Sequence, residues 1–451
     1  MEYSCMADKI LRSLEKKLSS RELLESGTFE IIVTDNEGTN TNPVKHVYNH
    51  LGLESWCVKY VYQHACSNLM GFRRNLATKI LSFDEMQNLN YLLMGALLLH
   101  PEVTTFWNMR RELVQAKVLN IEFELAFSRL VLTRKKKSNE TFSYRRWLLK
   151  QLYETKVTRN NWCEKIRREF SICQETAEGA PNNYHSWGHK QWCLNTVPSS
   201  DQQFFIDELS TNESWISNHV SEGSAYHFRT LLLPHCCTTE EPDVESLHES
   251  SLHDICNAEL FSRYSHRRNG TYFANFLTYL FHEVKSDFDN RNKKLEYLYR
   301  NTNMFSLYFR ELYFVPDFSV TFLEHESMFM YRRAIICQML VWGSQYLNEK
   351  FDSTTNLDLI QHFKPEPSNA NIIDVICNTN IFDVKKPKLC ESEFRKLYKT
   401  TYFKILCNLE KNFINSNSSD SDIQREYLRR HENWLFYVMG INLKEIDLEG
   451  I

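Results

Sequence analysis

Apolar residues recur along most of this chain at intervals of three and four, the period of an amphipathic helix. Residues 6–26 carry Ile10, Leu14 and Leu18 on one face, and the stretch from Leu53 to Leu69 stacks Trp56, Tyr60 and His64. Ser82-Phe83-Asp84-Glu85 fits a capping box, and the helix it opens runs to about Leu99, where His100-Pro101 ends it. Helical spacing then predicts elements at 104–117, 121–132, 141–154, 160–174 and 182–194. Ser199 to Gln203 caps one more, to about Ser210. Further elements are expected at 253–265, 271–283, 391–414 and 423–439, the last with Trp434 and Tyr437. Alternation is rare. Phe29–Val33 is a short apolar run that fits an extended segment, and Asp35–Pro43 is rich in turn residues.

The densest stretch is Asn182 to Leu194, with Tyr184, Trp187, Gln191 and Leu194 on one face and His185, His189 and Trp192 on the next. Aromatics on two faces predict a helix packed on both sides. Its pattern recurs as aromatic-x-x-Arg/Lys at Trp107/Arg110, Phe142/Arg145, Trp187/Lys190, Tyr226/Arg229 and Phe329/Arg332. The intervals are 35 (107 to 142), 45 (142 to 187) and 39 (187 to 226). Each suits two helices and two turns, a helical-hairpin repeat. The interval from 226 to 329, 103 residues, leaves room for a degenerate copy or an insertion. The domain reading is an N-terminal helical region at 1–84 with a loop at 34–46, then a repeat array at 85–347. A long loop or insertion follows at 348–390, and capping helices at 391–451. The fold class is all-α, a right-handed α/α superhelix of hairpins.

Composition agrees with helix. Gly (12) and Pro (10) are scarce in 451 residues, so a glycine-rich nucleotide cradle is not expected. The net charge of −4 is spread over mixed signs, which argues against nucleic acid. The 13 cysteines show no C-x-x-C and read as reduced, buried thiols of a cytoplasmic protein. The longest apolar run, Tyr91–Leu99, is far short of the ~20 residues that span a bilayer, so no membrane insertion is expected.

The aromatics Trp107, Trp147, Trp187 and Trp192 read first as filler between repeats, with a lipid groove as the sharper alternative. The basic column Arg110, Arg145, Lys190, Arg229 and Arg332 can tie one repeat to the next through carboxylates or helix-end carbonyls. It can instead face a partner's acidic groups or a diphosphate. The second arginines, Arg111, Arg146 and Arg333, turn to another face and are candidates for partner contact. His185 and His189 have the i, i+4 spacing of zinc ligands but no third ligand, and read as packed histidines rather than metal ligands. His235-Cys236-Cys237 reads as the small apolar end of a repeat helix. Tyr184 is equally a core tyrosine and a polar rim residue.

Five such elements in register, with Asn183-Tyr184-His185-Ser186-Trp187 followed by His189-Lys190-Gln191-Trp192, resemble the alpha-subunit repeats of protein prenyltransferases. The resemblance covers roughly residues 85–235 and 320–345. It implies a crescent of helix pairs around a catalytic beta subunit that supplies zinc and the geranylgeranyl diphosphate pocket. The expected role is a noncatalytic alpha-like subunit of a heterodimeric protein geranylgeranyltransferase of the third type. Its partner would be the beta subunit of the Rab enzyme, and its substrate the C-terminal cysteine of a SNARE or Rab-like trafficking protein. No cofactor and no catalytic residue is then expected in this chain. The resemblance places Asn182, Tyr184 and His185 at the substrate mouth. The diphosphate-facing lysine of the farnesyl and type I enzymes falls on Asn182, which carries no charge. A non-enzymatic helical-repeat scaffold for protein–protein interaction is the alternative.

Overall fold

The computed structural model describes residues 2–34, 42–76, 83–154, 159–236, 307–312, 322, 324–348, 401–418, 421–439 and 441–444. Apart from one small sheet, the described residues are helical. The expected helices at 253–265 and 271–283, most of the insertion at 348–390 and Ser82 of the capping box lie outside them. The chain divides into two compact units, Met1–Pro198 and Ser199–Ile451.

The first unit opens with α1 (Glu2–Leu18) and α2 (Arg21–Ser26), then β1 (Thr28–Ile32), β2 (Val44–Val47) and β3 (His50–Glu54). The strand order is β1-β3-β2, with β1 parallel and β2 antiparallel to β3. The run at Phe29 is thus extended, but residues 44–54 form a hairpin where the pattern suggested a loop and then helix from Leu53. These strands are four or five residues long, and His50-Leu51-Gly52-Leu53-Glu54 has no β-branched residue, so pairing and burial define them rather than propensity. Helices α3 (Ser55–Leu76) and α4 (Phe83–Leu99) pack with α1. Gly95 lets Leu11 of α1 approach α4 where any Cβ would collide with it.

Next come α5 (Thr104–Gln115), α6 (Ile121–Arg134), α7 (Asn139–Glu154), α8 (Arg159–Glu178) and α9 (Tyr184–Leu194). Their ends follow local chemistry. Asn120 accepts from the Glu122 amide to cap α6. Lys117, at φ 60°, closes α5 while the Val118 amide reaches back to the Leu113 carbonyl, which stops the helix without a glycine. Helices α6 and α7 pack as one antiparallel pair and α8 and α9 as another.

The second unit holds α10 (Gln202–Asn218), α11 (Gly223–Leu232), a helical segment at 307–312, α12 (Glu326–Asn348), α13 (Thr401–Ser416) and α14 (Asp422–Asn433), numbered over the described helices. Helix α10 runs eight residues beyond the end expected at Ser210, and Asp201 precedes it without a side-chain cap. Helix α14 continues into a π turn, Trp434–Val438.

Candidate functional site

The repeat motif builds one device four times. In the α6–α7 hairpin, Glu124 is fully buried and accepts two hydrogen bonds from Arg110 of α5, from Nε at 2.6 Å and Nη2 at 2.5 Å. It also accepts from the Tyr144 hydroxyl of its own hairpin at 2.7 Å. In α8–α9, Glu169 accepts from Arg145 at 2.9 and 2.6 Å and from His189 Nε2 at 2.9 Å. In the second unit, Glu311 accepts from Arg229 at 2.7 and 2.9 Å and from the Tyr331 hydroxyl at 2.7 Å. Glu410 of α13 accepts from Arg332 at 3.1 and 2.6 Å and from His431 Nε2 of α14 at 2.8 Å. Each glutamate thus joins its own hairpin, through a donor 20 or 21 residues on, to an arginine of the preceding one. Three of these arginines, Arg145, Arg229 and Arg332, send Nη1 to a backbone carbonyl 20 residues back, on Leu125, Leu209 and Leu312, and Arg110 sends its own to Asn90 Oδ1, also 20 residues back.

Aromatic packing follows the same register. Trp107 lies 4.6 Å from Tyr144, Phe142 5.2 Å from His189, Tyr226 5.4 Å from Tyr331 and Phe329 6.3 Å from His431. Four of the five column aromatics therefore pack on the donor of the next repeat. Trp107, Phe142, Trp187, Tyr226 and Phe329 are all buried. The guanidinium carbons of Arg110 and Arg332 sit 4.6 and 3.9 Å over the Phe127 and Phe413 rings. Lys190 is buried with its ammonium 5.0 Å over Phe170 and 5.3 Å over Trp187.

These contacts fix the charge states. Burial alone would raise the Glu169 carboxyl, but Arg145 and His189 outweigh it and hold it at about 2. Glu311 and Glu410 are lowered in the same way, against burial, by Arg229 and Arg332. Burial depresses His189 and His431, more than the glutamate hydrogen bonds raise them. His431 Nδ1 also accepts from Arg333 Nε at 3.4 Å, so the ring is neutral with its proton on Nε2.

The clamps also settle the long interval. Arg229 reaches Glu311 and Tyr226 packs on Tyr331, so the repeats at 226 and 329 are neighbours. By the same test α13–α14 is the next hairpin after α12, with Arg429 and Glu432 exposed where other repeats bury an aromatic and a base.

The helix start at Tyr184 is a surface feature. Asn182 is exposed at φ 56°, a left-handed conformation that asparagine tolerates well. The adjacent Asn183 is fully buried. It caps α9 by accepting from the Ser186 amide, and its Nδ2 donates to the Lys136 and Thr176 carbonyls. Tyr184 is 73 % exposed and His185 and Gly188 are exposed, so α9 is not packed on both sides. Its helical wheel puts Tyr184 in line with Trp187, but Tyr184 lies in the first turn, beyond the cover of the neighbouring hairpin. Lys137 donates from the α6–α7 turn to the Pro181 carbonyl at 2.7 Å, which brings that basic turn beside Asn182. His185 and His189 do not converge, since His189 is buried on Glu169.

The second arginines divide. Arg333 is 4 % exposed and packed on His431, not presented to a partner, because α14 covers it. Arg111 and Arg146 are half-buried, as are Trp147 and Trp192, which stack on Tyr144 and His189. Sequence reasoning named the arginines and, as a packed histidine, His189, but not the glutamates or the donors Tyr144, Tyr331 and His431. The signal was present in three of the four, as a glutamate 20 residues before a Tyr or His that itself precedes the Arg or Lys; in the fourth, His431 stands 21 residues after Glu410 and precedes Glu432.

Within each unit, fold and clamps together define helical-hairpin repeats joined by buried arginine–glutamate pairs. The protein prenyltransferase alpha subunit repeat family matches residues 121–152 and 166–197, the α6–α7 and α8–α9 hairpins. The protein prenyltransferase alpha subunit repeat-containing protein 1 of Danio rerio is 32 % identical over 322 residues, 68 % of this chain and 67 % of that protein. Its Homo sapiens namesake is 37 % identical over 207 residues, 43 % of this chain and 50 % of that protein. The chain belongs to this family of protein prenyltransferase alpha subunit repeat-containing proteins. It spans about half the length of the Xenopus laevis and Homo sapiens relatives it matches. More distantly, the geranylgeranyl transferase type-2 subunit alpha of Sus scrofa is 28 % identical over 162 residues, 34 % of this chain and 25 % of that protein.

Proposed function

We propose that this chain is the alpha-like, noncatalytic subunit of a heterodimeric protein geranylgeranyltransferase. Its partner is the beta chain of the type-2 (Rab) enzyme, and the pair moves geranylgeranyl from its diphosphate to a C-terminal cysteine of a SNARE or Rab-like trafficking protein. The observation that carries this reading is the repeat register, seen in the family match and in the four clamps. The same register assigns the acidic groups Glu124, Glu169, Glu311 and Glu410 to packing. Among the described residues no group of three or more His, Cys, Asp or Glu side chains could hold a metal ion. In this reading zinc and the isoprenoid diphosphate belong to the beta chain, where zinc would keep the substrate thiol deprotonated. This chain supplies the scaffold and, through the exposed Tyr184, His185 and Asn182, part of the rim at which substrate enters. No described helix is long and apolar enough to cross a membrane.

Co-expression with a type-2 beta chain tests the proposal. A stable complex that transfers labelled geranylgeranyl is expected. No complex, under conditions where a known type-2 alpha subunit binds, overturns it. The alternative, a repeat scaffold without a transferase, gains support from the exposed Tyr184 as a docking residue. The two separate on Tyr184→Ala. A subunit loses transfer rate with its melting temperature unchanged, whereas a scaffold has no transfer to lose.

A further inference from the structure

Two consecutive arginines of α7 have opposite fates. Arg145 is 1 % exposed and bonded to Glu169, the Leu125 carbonyl and the Ser128 hydroxyl. Arg146 is half-buried, yet no hydrogen bond or ion pair reaches it among the described residues. Burial pulls its pKa down, so the fold bears a desolvation cost there that no internal carboxylate offsets. One repeat earlier, Arg111 donates from Nη1 to Asn108 Oδ1 at 2.5 Å and lies 5.5 Å from the Tyr144 ring and 5.9 Å from Trp147. Trp147 and Trp192 stand at equivalent positions of α7 and α9, each stacked on a clamp donor with the rest of the indole at the surface. Tryptophan and arginine, partly desolvated and side by side, are the residues that dominate binding energy at protein interfaces.

We propose that this strip on α5, α7 and α9 seats an acidic segment of a partner chain, with a carboxylate of that segment taken by Arg146. The strip's charge selects the partner. Both of its cations lack a bonded carboxylate among the described residues, and a bidentate carboxylate matches the guanidinium fork. Apolar side chains flanking that carboxylate would cover the indoles. The inference rests on the subunit reading for the identity of the partner, the type-2 beta chain, but not for the chemistry of the strip.

The test uses the purified full chain with two probes, a fluorescein-labelled Glu- and Leu-rich peptide followed by anisotropy, and a type-2 beta chain followed by co-purification. Arg146→Met keeps the aliphatic stem, and Arg425→Met changes an exposed arginine elsewhere as a control. Arg146→Met is expected to weaken peptide binding by about tenfold or more and to lower beta-chain capture. Arg146→Lys should recover part of the loss, added salt should weaken wild-type binding, and Arg425→Met should do nothing. Circular dichroism melting separates a binding defect from a folding one. Peptide binding that is absent in the wild type, or equal in Arg146→Met, overturns the inference whatever the beta chain does. A wild-type chain that binds peptide through Arg146 but never captures the beta chain upholds the strip and overturns the subunit reading.

Discussion

The two units solve the same problem over very different lengths of chain. In the first, the clamped arginine and glutamate stand 14 and 24 residues apart, and in the second, 82 and 78. The donor atoms, the accepting oxygens and the burial are nevertheless the same in all four. Loop-closure entropy grows only as the logarithm of length, so going from 14 to 82 residues costs about 1.6 kcal/mol. A buried, bidentate pair can absorb that. The clamp, rather than the spacing, therefore keeps the register, and the interval between repeats is free to vary. The buried charges are better understood as setting which hairpin meets which than as a source of net stability, since apolar residues could fill the same space.

The largest expected effect comes from breaking one clamp in each unit. Arg145→Leu and Arg332→Leu each strand a buried carboxylate and should cost roughly 3–5 kcal/mol, read by urea unfolding with hydrogen exchange followed in the helices of each unit. Equal losses support one device working at both lengths. If Arg332→Leu costs less than half of Arg145→Leu, something other than the clamp holds the widely separated repeats together.

A smaller effect divides the clamps by chemistry instead of by unit, because each unit has one tyrosine donor and one histidine donor. His189 and His431 are buried and held below their ordinary value, so the unfolded chain binds protons that the folded chain refuses. Stability is therefore complete above about 6.5 and falls as pH drops below it, by up to ~1.4 kcal/mol per histidine per pH unit. Glu169 adds a separate loss, from about 4.5 down towards its folded value of about 2. His189→Tyr with His431→Tyr should flatten the profile between pH 6.5 and 5.5 and leave the acid limb below 4.5. A wild-type profile that is already flat across pH 6.5 to 5.5 would show that the two rings are not held neutral.

The comparison also shows where the sequence was legible. The helical period and the aromatic-x-x-Arg spacing marked the repeats, because each motif residue serves its own helix and local periodicity reports that directly. The arginines were placed between carboxylates and carbonyls, and they bond both. The glutamates were harder, since one buried Glu on a helix looks like any solvated Glu until the 20-residue offset to its donor is noticed. The sheet was harder still. The Phe29 run was read as extended, but β3, without a β-branched residue, has no local signal, and β1 meets it only through tertiary pairing. At the candidate rim, Asn182 read as a missing charge, whereas the backbone adds a second reason for asparagine there.

The smallest effect tests that reason across the two units. Asn182 at φ 56° stands two residues before α9, and Glu324 at φ 67° stands two residues before α12. Both lie five residues ahead of a column aromatic, so two of the five copies share the left-handed turn, whereas Glu102, Lys137 and Ser221 at the same offset do not adopt it. Asparagine visits this conformation at little cost, whereas a long side chain gives up roughly 1 kcal/mol. In the second unit Glu324 is compensated, since the Ser421 hydroxyl donates to its carboxylate and its amide donates to Gln424 Oε1. Asn182→Lys, which supplies the missing charge, should therefore lower stability by about 1 kcal/mol, while Asn182→Gly changes it by no more than a few tenths. Glu324→Gly should be close to neutral as well, because relief of the backbone offsets the lost bond to Ser421. Thermal melts of the three variants check the order. Asn182→Lys at wild-type stability would remove the backbone explanation and leave the missing charge as the reason for asparagine.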